Sequence, residues 1–227
     1  MNILAFDTAT NYESIALAKN GTIVAEITKA NTRDHSKNLL PNINKMLENT
    51  DTNMTDLDVI TVAIGPGSFT GIRISLSTAK GISFGLKIPL LALSSLESLA
   101  NNAMPVNHQV ASIMDAGRGE IYFSLYSFEL QQIVEPNLTT IKQAVENIDE
   151  KTLIAGYFSD KTEKRLETEA NFSLNFCAKE DRIPKAASLI DLITKKKTNY
   201  KYKFKEISKI KPLYLRRSAA EEKFNKK

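Results

Sequence analysis

Apolar and polar positions alternate along this chain in two rhythms, and the changes between them mark its elements. Ile3 to Phe6 is an unbroken apolar run that ends at Asp7, which predicts a buried strand over Asn2 to Phe6. Glu13 to Lys19 alternates, with Ile15, Leu17 and Lys19 on one face and Ser14, Ala16 and Ala18 on the other. Asn20-Gly21 is a strong hairpin signal, and Thr22 to Lys29 is the returning strand. Leu39, Leu40, Ile43, Met46 and Leu47 then fall at helical spacing within 35–49, where Pro41 must lie in the first turn or kink the helix. A strand over 59–64, a helix over 70–86 and a strand from Leu90 to Leu93 follow, and Ser94 or Ser95 can cap a short helix beyond.

The order β-β-β-α-β-α-β restarts near Gln109. Val110 to Met114 predicts a strand ending at Asp115, then a turn through Ala116-Gly117-Arg118-Gly119. Strands at Glu120 to Phe128 and Gln131 to Val134, a helix near 140–148 and a strand from Thr152 to Ala155 complete this second series. Further on, 184–197 reads as a helix with Leu189, Ile190, Leu192 and Ile193 as its apolar set. Pro212 to Leu215 reads as extended, and Ser218-Ala219-Ala220-Glu221 has capping-box spacing for a short terminal helix. The repeat is one of element order and not of residue identity. It divides the chain into an N-terminal lobe, 1–104, joined by the C-terminal helix 212–227, and a C-terminal lobe, 105–211.

The Ile64-Gly65-Pro66-Gly67-Ser68-Phe69-Thr70-Gly71-Ile72-Arg73 segment lies between a strand and a helix. Successive backbone N–H groups from Gly67 to Gly71 fall at a helix N-terminus, an end that attracts an anion or a partner's carboxylate. The plainer reading is a strand-to-helix turn with Ser68 or Thr70 as N-cap. It is no Walker A loop, since five residues separate Gly65 from Gly71 and Ile72-Arg73 follows where Lys-Ser/Thr is needed. Nor is it a nucleophile elbow, because Pro66 and Thr70 occupy the glycine positions around Ser68. Gly71, Ser75, Ser77, Gly81 and Gly85 leave small residues along the helix, which would let another helix backbone come close.

Composition narrows the field. The 227 residues are 42% hydrophobic and 25% charged, those of a soluble globular protein, and no apolar run is long enough to cross a bilayer. Cys177 is alone, so no internal disulfide can form, and the N-terminal residues meet Asp7 too early for a signal peptide; both point to the cytoplasm. Net charge is +4, yet 195–217 holds eight Lys and two Arg against Glu206. With Tyr200, Tyr202 and Phe204 interleaved, that stretch could touch nucleic acid. A solvated lysine-rich connector is the simpler reading.

Two series that each end a first strand on an acid, Asp7 and Asp115, suggest an α/β fold of the two-lobed actin-like ATPase kind (ASKHA, a ribonuclease H-like duplication). In that frame Asp7-Thr8-Ala9-Thr10 and Asp115-Ala116-Gly117 would face each other and hold Mg²⁺ and phosphates. Asp7, Thr8 and Asp115 are therefore candidate, vestigial nucleotide-binding residues; the alternative is that both acids cap turns. Ile154-Ala155-Gly156-Tyr157 is a poor adenosine turn, having one glycine and a bulky Tyr157. His35 and His108 form no zinc spacing, and Cys177 has no evident base.

Four segments resemble the TsaB (YeaZ) subfamily of the Kae1/TsaD family. They are Ile3 to Thr8; Asp34-His35-Ser36 leading to Leu40-Pro41; Gly65 to Arg73 with Pro89, Ser94, Ser95 and Leu96; and Asp115 to Tyr122. Pro212-Leu213-Tyr214-Leu215-Arg216 looks like the family's closing motif. The resemblance implies a partner subunit for threonylcarbamoyladenosine synthesis in tRNA, with no catalysis of its own. The implied partners are a catalytic TsaD-like sister and, through the pair, a TsaE-like ATPase; tRNA contact would be indirect or weak, and the chain could self-pair when alone. The family's pairing helices correspond to 35–49 and 70–86. That makes His35, Leu39, Ile43, Gly67, Ser68, Phe69, Arg73, Ser77, Gly81 and Gly85 the expected partner interface. The sister's pair of metal-binding His matches Ser95 and Leu99 here, so no metal centre is expected, and no cofactor beyond ATP at a shared interface. The rivals are a stand-alone actin-like ATPase or small-molecule kinase, a peptidase, and direct tRNA binding through 195–217.

Overall fold

The structure, a computed structural model, describes residues 1–30, 34–196 and 200–216. The expected helix at Ser218 to Glu221 lies outside them. In the first half, strands β1 (Ile3–Asp7), β2 (Tyr12–Lys19), β3 (Thr22–Ala30), β4 (Val59–Ala63) and β5 (Leu90–Leu93) form one sheet in the order β3-β2-β1-β4-β5. In the second half, β6 (Val110–Gly117), β7 (Glu120–Tyr126), β8 (Gln132–Thr140), β9 (Leu153–Tyr157) and β10 (Asn175–Phe176) form another, in the order β10-β9-β6-β7-β8. Taken from the opposite edge, the second order is the first again, with two antiparallel pairings followed by two parallel ones. The expected duplication is thus present as topology.

Local chemistry accounts for most boundaries. Asn20 and Gly21 both have positive φ, 53° and 80°, as the tight β2–β3 turn requires. Helix α1 (His35–Asn49) runs through Pro41, beyond its first turn. Ser68 and not Thr70 caps α2 (Phe69–Leu86), its Oγ accepting from the Gly71 N–H. Lys87 ends that helix in the left-handed region. Ser94 caps α3 (Ser95–Asn102), and Thr140 with Gln143 makes a capping box for α4 (Ile141–Val145), shorter than the expected 140–148. The strand expected to reach Phe128 ends at Tyr126, where Ser127 starts a turn closed by its N–H donating to the Gln131 carbonyl.

Helices cover both faces of each sheet. α1 and α2 pack on one face of the first sheet over Leu4, Phe6, Ile15, Leu17, Ile60 and Val62. Its other face, lined by Ala5, Ala16, Ala18 and Ala63, is covered by α6 (Ala186–Lys195). Both faces of β2 are therefore buried, and its alternation separates large from small residues, not core from solvent. The Ala186 N–H donates to Ser14 Oγ at 2.8 Å, docking the start of α6 on the sheet. α3 packs against the second sheet through Leu96, Leu99 and Ala100. The third helix of each half thus crosses to the other half's sheet and meets its counterpart between them. A division at 105–211 gives α6 to the C-terminal lobe; its apolar stripe packs on the first sheet. So does α7 (Phe204–Lys209), through Ile207. The outer face of the second sheet carries α4 and α5 (Asp160–Glu169).

Candidate functional site

The first acidic turn is filled by its own chain. Asp7 is buried, accepts the Ala9 N–H at 2.7 Å, and is pushed up to about 6 from the usual 3.8, mainly by desolvation. Thr8 Oγ1 donates to the Gly71 carbonyl at 2.7 Å, and the Ser68 N–H donates to the Ala9 carbonyl at 2.7 Å. A Cβ on Gly71 would fall 1.9 Å from the Thr8 carbonyl oxygen, and one on Gly67 (φ +152°) 2.2 Å from that of Ala9. The glycines at these positions let the α2 N-terminus press directly on the turn. The backbone that could have cradled a phosphate is thereby engaged internally. Of the two residues expected to serve a nucleotide, Thr8 here ties the end of β1 to α2 and Asp7 braces its own turn through Ala9.

The second turn is exposed, and its acid braces the start of a helix that Ser159 caps. Asp115 accepts from the Ser159 N–H at 2.9 Å and from Thr162 Oγ1 at 2.6 Å, fixing the first turn of α5. Between the halves lies a cleft of about 270 Å³ bordered by Thr10, Gly67, Ser68, Asp115, Tyr122 and Tyr157. That is below the roughly 300 Å³ at which small-molecule pockets begin. Tyr157 meets Tyr12 edge-on, with ring centroids 5.8 Å apart, so the side chain expected to crowd a purine closes one end. Gly156 (φ +125°) has no room for a Cβ, which would sit 1.9 Å from the Ile113 carbonyl oxygen.

The expected interface residues separate into two groups. His35, Leu39 and Ile43 point inward as the buried stripe of α1, so they cannot meet a partner directly and that part of the expectation is corrected. A surface helix turns its apolar stripe to its own sheet, and the sequence pattern reported that stripe. His35 Nε2 lies 3.1 Å from the Thr10 carbonyl, and its Nδ1 faces the buried Glu13 carboxylate at 3.7 Å. Glu13 raises the His35 pKa, and burial opposes that shift. Ser68, Phe69, Arg73, Ser77, Gly81 and Gly85 are exposed along α2, whereas Gly71 and Ser75 face inward. Nothing lies within 4 Å of a Cβ placed on Gly81 or Gly85. Beside them is an open groove of about 490 Å³ bordered by Ser36, Phe69, Thr70, Arg73, Ile74 and Ser77.

The closing motif lies across this face, a placement the sequence did not disclose. The Leu213 N–H donates to the Ile64 carbonyl at 2.8 Å, Tyr214 stacks on Phe69 with centroids 4.7 Å apart, and Arg73 Nε donates to Tyr214 Oη at 2.7 Å. The Arg73 guanidinium also sits 3.8 Å from the Phe69 ring centroid. Leu215 then packs on the cluster of Leu96, Leu99, Met114 and Tyr122, and Arg216 reaches Glu120 and the Ala116 carbonyl. Residues 212–216 thus strap the two halves together. Partners 141 positions apart leave no local signal.

A family model described as "TsaD: tRNA N6-adenosine threonylcarbamoyltransferase" matches residues 13–224. The chain belongs to this family. It is similar to the tRNA threonylcarbamoyladenosine biosynthesis protein TsaB of Bacillus subtilis strain 168, 37% identical over 154 residues that cover 66% of this chain and 67% of that protein. The TsaB of Escherichia coli K12 is 37% identical over 128 residues, covering 56% and 55%. The structure of YeaZ from Pseudomonas aeruginosa superposes with a TM-score of 0.78 at 25% identity, covering 94% of this chain and 99% of that one. The resemblance to the TsaB subfamily is borne out. An ROK family protein from Streptococcus pneumoniae (TM-score 0.50, 10% identity, covering 87% and 99%) shares the fold, which is the expected two-lobed actin-like one. Among the described residues, no helix is long and apolar enough to cross a membrane.

Proposed function

We propose that this chain is the partner subunit of a threonylcarbamoyl-transferring complex that modifies the adenosine beside the anticodon of tRNA. It has no catalytic role of its own and pairs with a TsaD-like sister through the exposed face of α2. A TsaE-like ATPase would join through the pair, and the same face would support a homodimer when the sister is absent. The family and the names of the relatives support the pathway.

The glycines of α2 carry the pairing. A mid-helix glycine costs about 0.5–1 kcal/mol relative to alanine. Gly81 and Gly85 stand in open space, so none of the described residues of this chain asks for that cost. A second backbone approaching the helix does. The stand-alone ATPase reading is less well supported, since Asp7 is engaged by Ala9, Thr8 by Gly71 and Asp115 by Ser159 and Thr162. Complementation tests the proposal. In cells depleted of the endogenous partner subunit, the wild-type gene should restore the tRNA modification and the Gly81→Leu/Gly85→Leu gene should not, at equal protein level. Full restoration by the double variant would overturn the pairing surface.

A further inference from the structure

The lysine-rich stretch is not a loose connector where it is described. α7 docks on the first sheet by Ile207. Lys80 of α2 donates to the Ser208 and Ile210 carbonyls at 3.0 and 2.8 Å, closing the end of that helix. Phe204, 56% exposed, lies against Phe84 with ring centroids 4.9 Å apart. Phe84 precedes Gly85, so the basic segment adjoins the C-terminal end of the proposed partner face.

Its charges divide into two sets. Lys195, Lys196 and Lys203 have carboxylate partners in Asp191, Glu97 and Glu206. Among the described residues, Lys201, Lys205, Lys209 and Lys211 are exposed and make no ion pair. A groove of about 460 Å³ bordered by Leu90, Leu91, Tyr200, Lys201, Lys203 and Ile210 runs beside them.

We propose that this surface binds the phosphodiester backbone of RNA, with Lys201, Lys205, Lys209 and Lys211 meeting the phosphates and the Phe204 ring as a platform for an unstacked base. Spaced lysines follow a charged chain without reading its sequence, and an exposed ring adds sequence-tolerant stacking. A membrane fits less well, because Ile207 is already buried in this chain and Phe204 alone gives α7 too small an apolar face to enter a bilayer. The inference rests on the proposed role in tRNA modification and gives this chain an RNA-binding surface of its own within it.

The test measures binding of an unmodified tRNA transcript to the full chain by fluorescence anisotropy across a salt series. Lys201→Gln/Lys205→Gln/Lys209→Gln/Lys211→Gln should weaken binding about tenfold or more near 0.1 M salt. The salt slope should flatten by roughly 0.7–0.9 for each phosphate that is no longer neutralised. Phe204→Ala should weaken it about fivefold with the slope unchanged. A control that neutralises exposed Lys142, Lys151, Lys161 and Lys164 should change neither. Unaltered affinity and slope in the first variant, or an equal loss in the control, overturns the proposal. So does lysine-dependent binding to phosphatidylserine vesicles with no such dependence for tRNA. Pairing of the same variant with the sister subunit is measured alongside. Failure of the wild-type chain to pair, with tRNA binding still lysine-dependent, indicts the partner reading, and intact pairing with lysine-independent tRNA binding indicts this one.

Discussion

The two halves share one topology but treat their acidic turns in opposite ways. In the first, Asp7 is buried and the α2 N-terminus presses on the turn through Gly67 and Gly71. In the second, Asp115 is exposed and reaches forward to hold Ser159 and Thr162 at the start of α5. The outer helices differ as well: α2 runs eighteen residues with open glycines, and α5 runs ten with Thr162 and Leu166 buried. The sheets repeat each other, while both acidic turns are engaged by the chain itself. The elaborated surface is the outside of the first half.

Four substitutions probe this difference between the halves. The largest effect is expected from Gly71→Ala, whose new methyl meets the Thr8 carbonyl. The clash should cost about 3 kcal/mol or more, read as a lower midpoint in chemical denaturation. An unchanged midpoint would mean the first turn is not packed as described.

Asp7→Asn comes next, and its effect depends on pH. The folded Asp7 holds its proton up to about pH 6 while the unfolded group releases it near 3.8. The native state therefore binds the extra proton, and stability falls as pH rises across that window, by up to about 3 kcal/mol. His35 is also raised, so its contribution is complete below 6.5 and is lost as pH climbs past its higher folded value. Asp7→Asn should flatten the fall between pH 4 and 6 and leave the His35 part. A denaturation series over pH 4–8 measures both.

Asp115→Ala removes the carboxylate that holds the Ser159 N–H and the Thr162 hydroxyl at the start of α5 and should cost about 1 kcal/mol, with faster amide exchange confined to 160–169. An effect that spread to the first sheet would deny the division of roles. Gly81→Ala is the smallest and has the opposite sign. Open space around that Cβ predicts a gain of about 0.5–1 kcal/mol in the isolated chain.

Elements whose cause is local were legible in the sequence. The Asn20-Gly21 turn, the cap before α2 and the buried run of β1 each follow from adjacent residues. α5 went unread because its stripe is two buried residues among charged ones, and β10 because two residues make no pattern. α7 was missed for the same reason, with Ile207 as its one buried residue. The site was harder still. Helical spacing marked Leu39 and Ile43 correctly as one face, but spacing does not tell a face that meets its own sheet from one that meets a stranger. The exchange of α3 and α6, and the strap from Arg73 through Tyr214 to Glu120, join residues about 90 to 140 positions apart.

The proposed pairing of α2 with a relative of this chain is open to light scattering on a size-exclusion column, with the wild-type chain and Gly81→Leu/Gly85→Leu each mixed with the TsaD-like sister. A one-to-one complex is expected for the wild type and separate peaks for the variant, whose own fold is unchanged. A variant that still co-elutes with the sister at the mass of the complex would contradict it.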